Sequence, residues 1–141
     1  MAGAIAYALL AIPLAFLVLT RRFFSPSPVA IALQVVGMLV VVWARLTFGM
    51  RSFHVGSNAT QGGLVTTGPY RYVRHPIYAG ILVILAGVLV GHRDVDTLIA
   101  VGCAAAALAV RLLAEERAVV RTYPEYAHYA QRTKRLIPWL F

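Results

Sequence analysis

Cysteine is almost absent from this chain: a single thiol, Cys103, excludes any intrachain disulfide. It lies among small residues from 102 to 107 and reads as a packing residue. Negative charge is scarce as well. Five acidic residues stand against thirteen basic ones, and charged residues of both signs reach only 13%, about half the share usual in soluble domains. The four histidines, His54, His75, His92 and His128, lack zinc-ligand spacing, so no metal site is expected. No Ser or Cys occupies a nucleophile motif, and no glycine-rich phosphate cradle follows a strand, Gly62-Gly63 being a lone pair.

Apolar residues take the place of what is missing. They make up 60% of the sequence, with a mean hydropathy of +0.76, well above the roughly 45–50% of soluble domains. A bilayer is the natural solvent for such a composition. The net charge of +8 raises the question of nucleic acid, but the basic residues are scattered among apolar blocks instead of forming a stripe, and no nucleic-acid partner is expected. At 141 residues the chain holds one domain, 1–141.

The apolar blocks are punctuated clearly. Residues 2–19 are uncharged and of spanning length, without the basic start and small-residue cleavage site of a signal peptide, and read as a retained span. Arg21, Arg22, Pro26 and Pro28 interrupt it, and 29–44 resumes, continuing past Arg45 to Phe48. These two segments, within 1–48, are expected to form a helical hairpin. Residues 49–75 turn polar and are too long for a simple turn, which marks a functional loop. Residues 77–91 and 97–110 are two further apolar segments, expected as a tight pair joined by a polar connector. Gly87, Gly91 and the Gly/Ala run 102–109 would permit close helix approach. Beyond Arg111 the pattern becomes amphipathic, with Tyr123, Tyr126 and Tyr129, as in a helix leaving the bilayer to lie at its surface.

The expected architecture is therefore all-α: an integral membrane bundle of about four transmembrane helices with a C-terminal amphipathic interfacial helix. In that arrangement ten basic residues, including Arg45, Arg71, Arg74, Arg111 and Arg135, share the side of the 49–75 loop, against Arg21, Arg22 and Arg93 opposite. The imbalance places both termini, and the functional loop, in the cytoplasm.

Two clusters could carry chemistry. Arg74 and His75 stand directly before Pro76, which suits a first helical turn, so both sit at the positive end of a helix where an anionic group is favoured; anchoring to anionic head groups is the plainer reading. Arg111, Glu115 and Glu116 follow the fourth apolar segment. Arg111 and Glu115, four apart, could simply form an ion pair. Ionisable residues beside spans also tend to line sites, and a cationic ligand would suit the carboxylates. Together the clusters offer a carboxylate for an ammonium, cations for a carboxylate, and tyrosines for a ring, which is what S-adenosylmethionine requires.

The segments Leu64-Val65-Thr66-Thr67-Gly68-Pro69-Tyr70, Arg74-His75-Pro76-Ile77-Tyr78, Arg111 with Glu115-Glu116, and Tyr126 with Leu136-Ile137-Pro138 resemble, in order, the catalytic half of isoprenylcysteine carboxyl methyltransferases and related phospholipid methyltransferases. The resemblance implies an all-helical membrane enzyme using S-adenosyl-L-methionine and releasing S-adenosylhomocysteine. By it, Gly63, Leu64, Val65, Tyr70, Arg74, His75, Tyr78 and Glu115 would bind the cofactor, with Arg111 facing the methyl acceptor and Glu116 in a supporting catalytic role. Eukaryotic members of that family carry a histidine shortly before the Leu-Val pair, where Gly62 stands here, and additional N-terminal spans.

The expected reaction is methyl transfer to a lipidic or prenylated acceptor drawn from the membrane, with membrane lipids as further partners. A carboxylate acceptor, as in isoprenylcysteine O-methylation, needs no base and could be oriented by Arg111; a lipid amine would first have to lose a proton, to Glu116 or a tyrosine. Two other classes remain open, a nicotinamide-dependent reductase-like protein and a small membrane scaffold in which the charges form structural ion pairs.

Overall fold

A computed structural model describes residues 2–49 and 64–138. Among them the architecture is helical without strands: α1 Ala2–Leu19, α2 Pro28–Phe48, a 3-10 turn Gly68–Arg71, α3 Pro76–Gly91, α4 Val95–Thr122 and α5 Tyr126–Arg132. Proline stands at the first turn of both α2 and α3, where its missing N–H would have no intrahelical partner. At α4 the cap is a side chain, Asp94 accepting from the Thr97 backbone N–H at 3.0 Å and from its hydroxyl at 2.8 Å.

Two helices, α2 and α4, are long and apolar enough to cross a membrane. Their 21 and 28 residues correspond to about 32 and 42 Å, against a hydrocarbon layer of about 30 Å. Four such spans were expected; α3, with 16 residues, reaches only about 24 Å and α1, with 18, about 27 Å. The surface of α2 is unusual for a water-soluble core helix. Only Ala30, Gly37 and Ala44 are buried, while Val29, Val35, Met38, Leu39, Trp43 and Leu46 are exposed.

The pairing of the helices departs from the expected order. Among the described residues α1 and α2 do not pack closely as a hairpin; α2 lies along α3, α1 lies along α4, and α3 joins α4 more loosely. A core forms where α1, α3 and α4 meet, from Leu17, Leu85, Val88, Ala104, Leu108 and Leu112. The α2–α3 contact is made backbone to backbone. A Cβ on Gly37 would lie 2.5 Å from the Gly80 carbonyl oxygen, and one on Gly80 would lie 2.7 Å from that of Gly37. These two glycines let the axes approach more closely than side chains permit. Gly87 and Gly91 face Ala30 and Ser25 in the same seam, whereas Gly102 meets nothing.

α4 continues unbroken through the amphipathic stretch to Thr122, so Arg111, Glu115 and Glu116 belong to it and not to a separate helix. At the opposite end, Arg22 pairs with Asp96 at 3.0 Å and Asp94 at 3.5 Å, tying the end of α1 to the start of α4. The two helices of this pair therefore run antiparallel. The start of α3, the end of α2, the last turns of α4 and the tail collect together at the other end of the bundle.

Candidate active site

Most of the residues singled out in the sequence meet at that end. Tyr78, on the first turn of α3, donates its hydroxyl proton to Glu115 Oε1 at 2.6 Å and accepts from Arg111 Nε at 2.7 Å. Arg111 Nη2 reaches the same Glu115 oxygen at 2.8 Å. Tyr78 and Arg111 are buried; the Glu115 side chain keeps about a quarter of its surface open, at 26%. The site thus presents a carboxylate anchored through one oxygen and still reachable.

Glu116, one position on, is enclosed instead. Its Oε1 accepts from Arg74 Nε at 3.1 Å and from the Tyr126 hydroxyl at 3.2 Å, and its Oε2 accepts from Arg135 Nε at 2.9 Å. Successive helical residues point about 100° apart, which is why neighbouring glutamates reach such different surroundings. Burial followed by the negative charge of Glu116 pushes the Tyr126 phenol well above its usual range.

His75 links the two groups. Its ring stacks on Tyr78 with centroids 5.6 Å apart and planes 19° from parallel. Its Nε2 is buried without a hydrogen-bond partner, 3.4 Å from Glu116 Oε1. The backbone around it is held by the tail: Arg74 N–H donates to the Lys134 carbonyl at 2.7 Å and His75 N–H to that of Arg135 at 3.0 Å. Arg74 also donates through Nη1 to the carbonyls of Ala130 and Thr133.

Leu64 and Val65 stand apart from these clusters. They line a cleft of about 420 Å³ with Thr47, Phe48, Gly49, Thr66 and Thr67, within the roughly 300–1,000 Å³ of small-molecule sites. Tyr78, Arg111 and Glu115 are not among its described lining. Tyr70 connects the cleft to the remainder: it is buried, its ring lies 5.5 Å from Phe48, and its carbonyl accepts from the Tyr129 hydroxyl at 2.5 Å. Its own phenol is raised by burial and, next, by Tyr129. Gly68 shapes the approach, with φ of +57° and a hypothetical Cβ 2.5 Å from Thr47 Oγ1, so the turn before Tyr70 admits glycine almost alone. Gly63 lies outside the described residues.

The sequence from Pro28 into α5 is what family comparison recognises: residues 27–126 match the phospholipid methyltransferase family. The chain belongs to that family. All the charged partners just described except Arg135 fall within the matched region, so this is the end of a phospholipid methyltransferase-family bundle where buried charged side chains and tyrosines converge. The chain is 35% identical over 115 residues to the nickel-cobalt-cadmium resistance protein NccN of Alcaligenes xylosoxydans xylosoxydans, covering 79% of this chain and 53% of the relative. It is 32% identical over 116 residues to the cobalt-zinc-cadmium resistance protein CzcN of Cupriavidus metallidurans, covering 81% and 51%. The chain spans about half the length of the curated relatives it matches. No solved structure matches it.

Sequence reasoning missed Arg135, which has no motif of its own beyond its place beside Leu136. It also missed Thr47 and Phe48, which read as the plain end of an apolar run.

Proposed function

We propose that this family member is a multi-span membrane enzyme that transfers a methyl group from S-adenosylmethionine to a lipidic acceptor entering from the bilayer. The observation that carries the reading is the Tyr78–Arg111–Glu115 arrangement, a charged network gathered at one end of a bundle whose outer surface is apolar. Ionisable groups in such a place are costly unless they serve a site.

The residues suit the cofactor. Glu115, partly open, offers a carboxylate to its ammonium; His75, stacked on Tyr78 beside that carboxylate, offers an imidazole at the start of α3; and the open cleft lined by Thr47, Phe48, Leu64, Val65, Thr66 and Thr67 offers mixed polar and apolar surface to its ring system. When bound, S-adenosylmethionine supplies a methyl group already activated on a sulfonium. The chain's own work is to align the acceptor and exclude water. Arg111, held by Tyr78 and Glu115, is placed to orient an acceptor carboxylate, which needs no proton removed. Glu116, committed on both oxygens, serves as a positioning residue in this scheme and not as a base.

The surplus of basic residues at this end supports a site at the cytosolic face. An amine acceptor is the second form of the same reaction. The relatives' names concern metal resistance; O-methylation would neutralise a carboxylate and so remove a hard oxygen ligand for divalent cations, which gives the proposed activity a chemical connection to that phenotype.

The test is calorimetric titration of S-adenosylhomocysteine into the detergent-solubilised chain. Saturable binding to the wild type, lost in Glu115→Ala and His75→Ala, is expected. A folded wild type that does not bind, or a Glu115→Ala variant with unchanged affinity, would overturn the assignment.

A further inference from the structure

The contacts described among Tyr78, Arg111 and Glu115 join α3 to α4, and the C-terminal segment packs beside them, against the residues that precede α3. Residues 72–75 and 134–135 run side by side, with a parallel bridge between Val73 and Lys134. The N–H groups of Arg74 and His75 are paired with carbonyls of Lys134 and Arg135, and α3 has no side-chain cap at His75. The tail thus satisfies donors just ahead of a helix that lacks a cap of its own.

The side chains repeat the connection. Glu116 is buried, and its Oε2 accepts from Arg135 Nε while its Oε1 accepts from Arg74 and Tyr126. Withdrawing the Arg135 guanidinium exposes a buried carboxylate oxygen to the loss of its charged donor, which is expensive enough to make Glu116 turn. Glu116 cannot turn without disturbing Arg74 and the ring of His75. His75 in turn stacks on Tyr78, whose hydroxyl bridges Arg111 and Glu115 beside their direct ion pair.

We infer that Arg135 is a positioning residue: by pairing with Glu116 it straps the C-terminal segment across the start of α3 and sets His75 and Tyr78 for binding. The consequence for binding rests on the cofactor site proposed above; the strap does not. Arg135 suits the role experimentally, because its side chain is 38% exposed and a change there leaves the helical core untouched.

The experiment compares wild type, Arg135→Gln, Arg135→Lys and the exposed control Arg132→Gln, all as the full chain. Amide hydrogen exchange reads the strap and S-adenosylhomocysteine titration reads its consequence. In Arg135→Gln, exchange at the amides of Arg74 and His75 should speed up at least about tenfold with α1 to α4 unchanged, and affinity should fall about tenfold, or about 1.4 kcal/mol. Arg135→Lys should restore both in large part, and Arg132→Gln should change neither. Unchanged exchange at Arg74 and His75 in Arg135→Gln overturns the strap. Faster exchange with wild-type affinity overturns the positioning role. A wild type that does not bind sinks the cofactor assignment, while the exchange result still decides the strap.

Discussion

Two adjacent carboxylates with opposite surroundings make a sharp comparison. In Glu116→Gln the negative charge facing Arg74 and Arg135 disappears, and the new amide must aim its NH2 either at Arg135 or at Arg74 and Tyr126, donor against donor. The Glu116 side chain is only 11% exposed, so water cannot repair the loss. Breaking one member of a buried ion pair costs about 3–5 kcal/mol. In Glu115→Gln the remaining carbonyl still accepts from Tyr78 and Arg111, and the side chain is 26% exposed; the loss should be about 1–2 kcal/mol. The difference, about 2 kcal/mol or more, corresponds to roughly 8 °C in Tm at about 4 °C per kcal/mol for a chain of this length. Thermal unfolding of the two detergent-solubilised variants, followed by near-ultraviolet circular dichroism, measures it. S-adenosylhomocysteine titration of the same samples should show the reverse order, with Glu115→Gln the poorer binder. Equal Tm values, or a less stable Glu115→Gln, would refute this division between holding the fold and meeting the ligand.

Other consequences follow from the packing and from the tyrosines. Gly80→Ala should lower Tm even though alanine favours helix by about 1 kcal/mol, because its Cβ would stand 2.7 Å from the Gly37 carbonyl oxygen and overpacking costs about 1–3 kcal/mol. Gly102→Ala, with nothing within 4 Å, should keep the helix gain; indistinguishable Tm values for the pair would contradict the close approach of α2 and α3. The Tyr129 phenol is pushed up to about 12 from its usual 10, chiefly by burial. Its folded value exceeds the unfolded one, so the stability it contributes is complete below about pH 10 and lost as pH rises toward 12. Tyr129→Phe should flatten the alkaline fall of Tm over that window, and identical slopes would argue that this hydroxyl is not buried in solution.

The helices were legible because their signals are local. Apolar runs broken by Arg21 and Arg22 and by Pro26, Pro28 and Pro76 predict α1, α2 and α3 at nearly the observed bounds, whereas α4 runs past the expected end at 110 to Thr122. Which helix lies against which was not legible. α2 and α3 are apolar on every side, so no stripe marks a partner, and the expected hairpin of α1 with α2 gave way to α2 with α3 and α1 with α4. The glycines that decide the first pairing, Gly37 and Gly80, stand 43 positions apart in the sequence, and each acquires meaning only opposite the other.

At the site, the sequence by itself determined which residue types were available: a Tyr, Arg and His group before α3, and Arg111 with two glutamates on α4. It also determined the family, through their order along the chain. Only the tertiary structure decided that Glu115 joins Tyr78 and Arg111 while Glu116 is closed over by Arg74 and Arg135. The reason is geometric. A helix turns adjacent side chains about 100° apart, and whether a carboxylate then meets open space or three donors depends on segments that approach from elsewhere, here the start of α3 and the C-terminal tail.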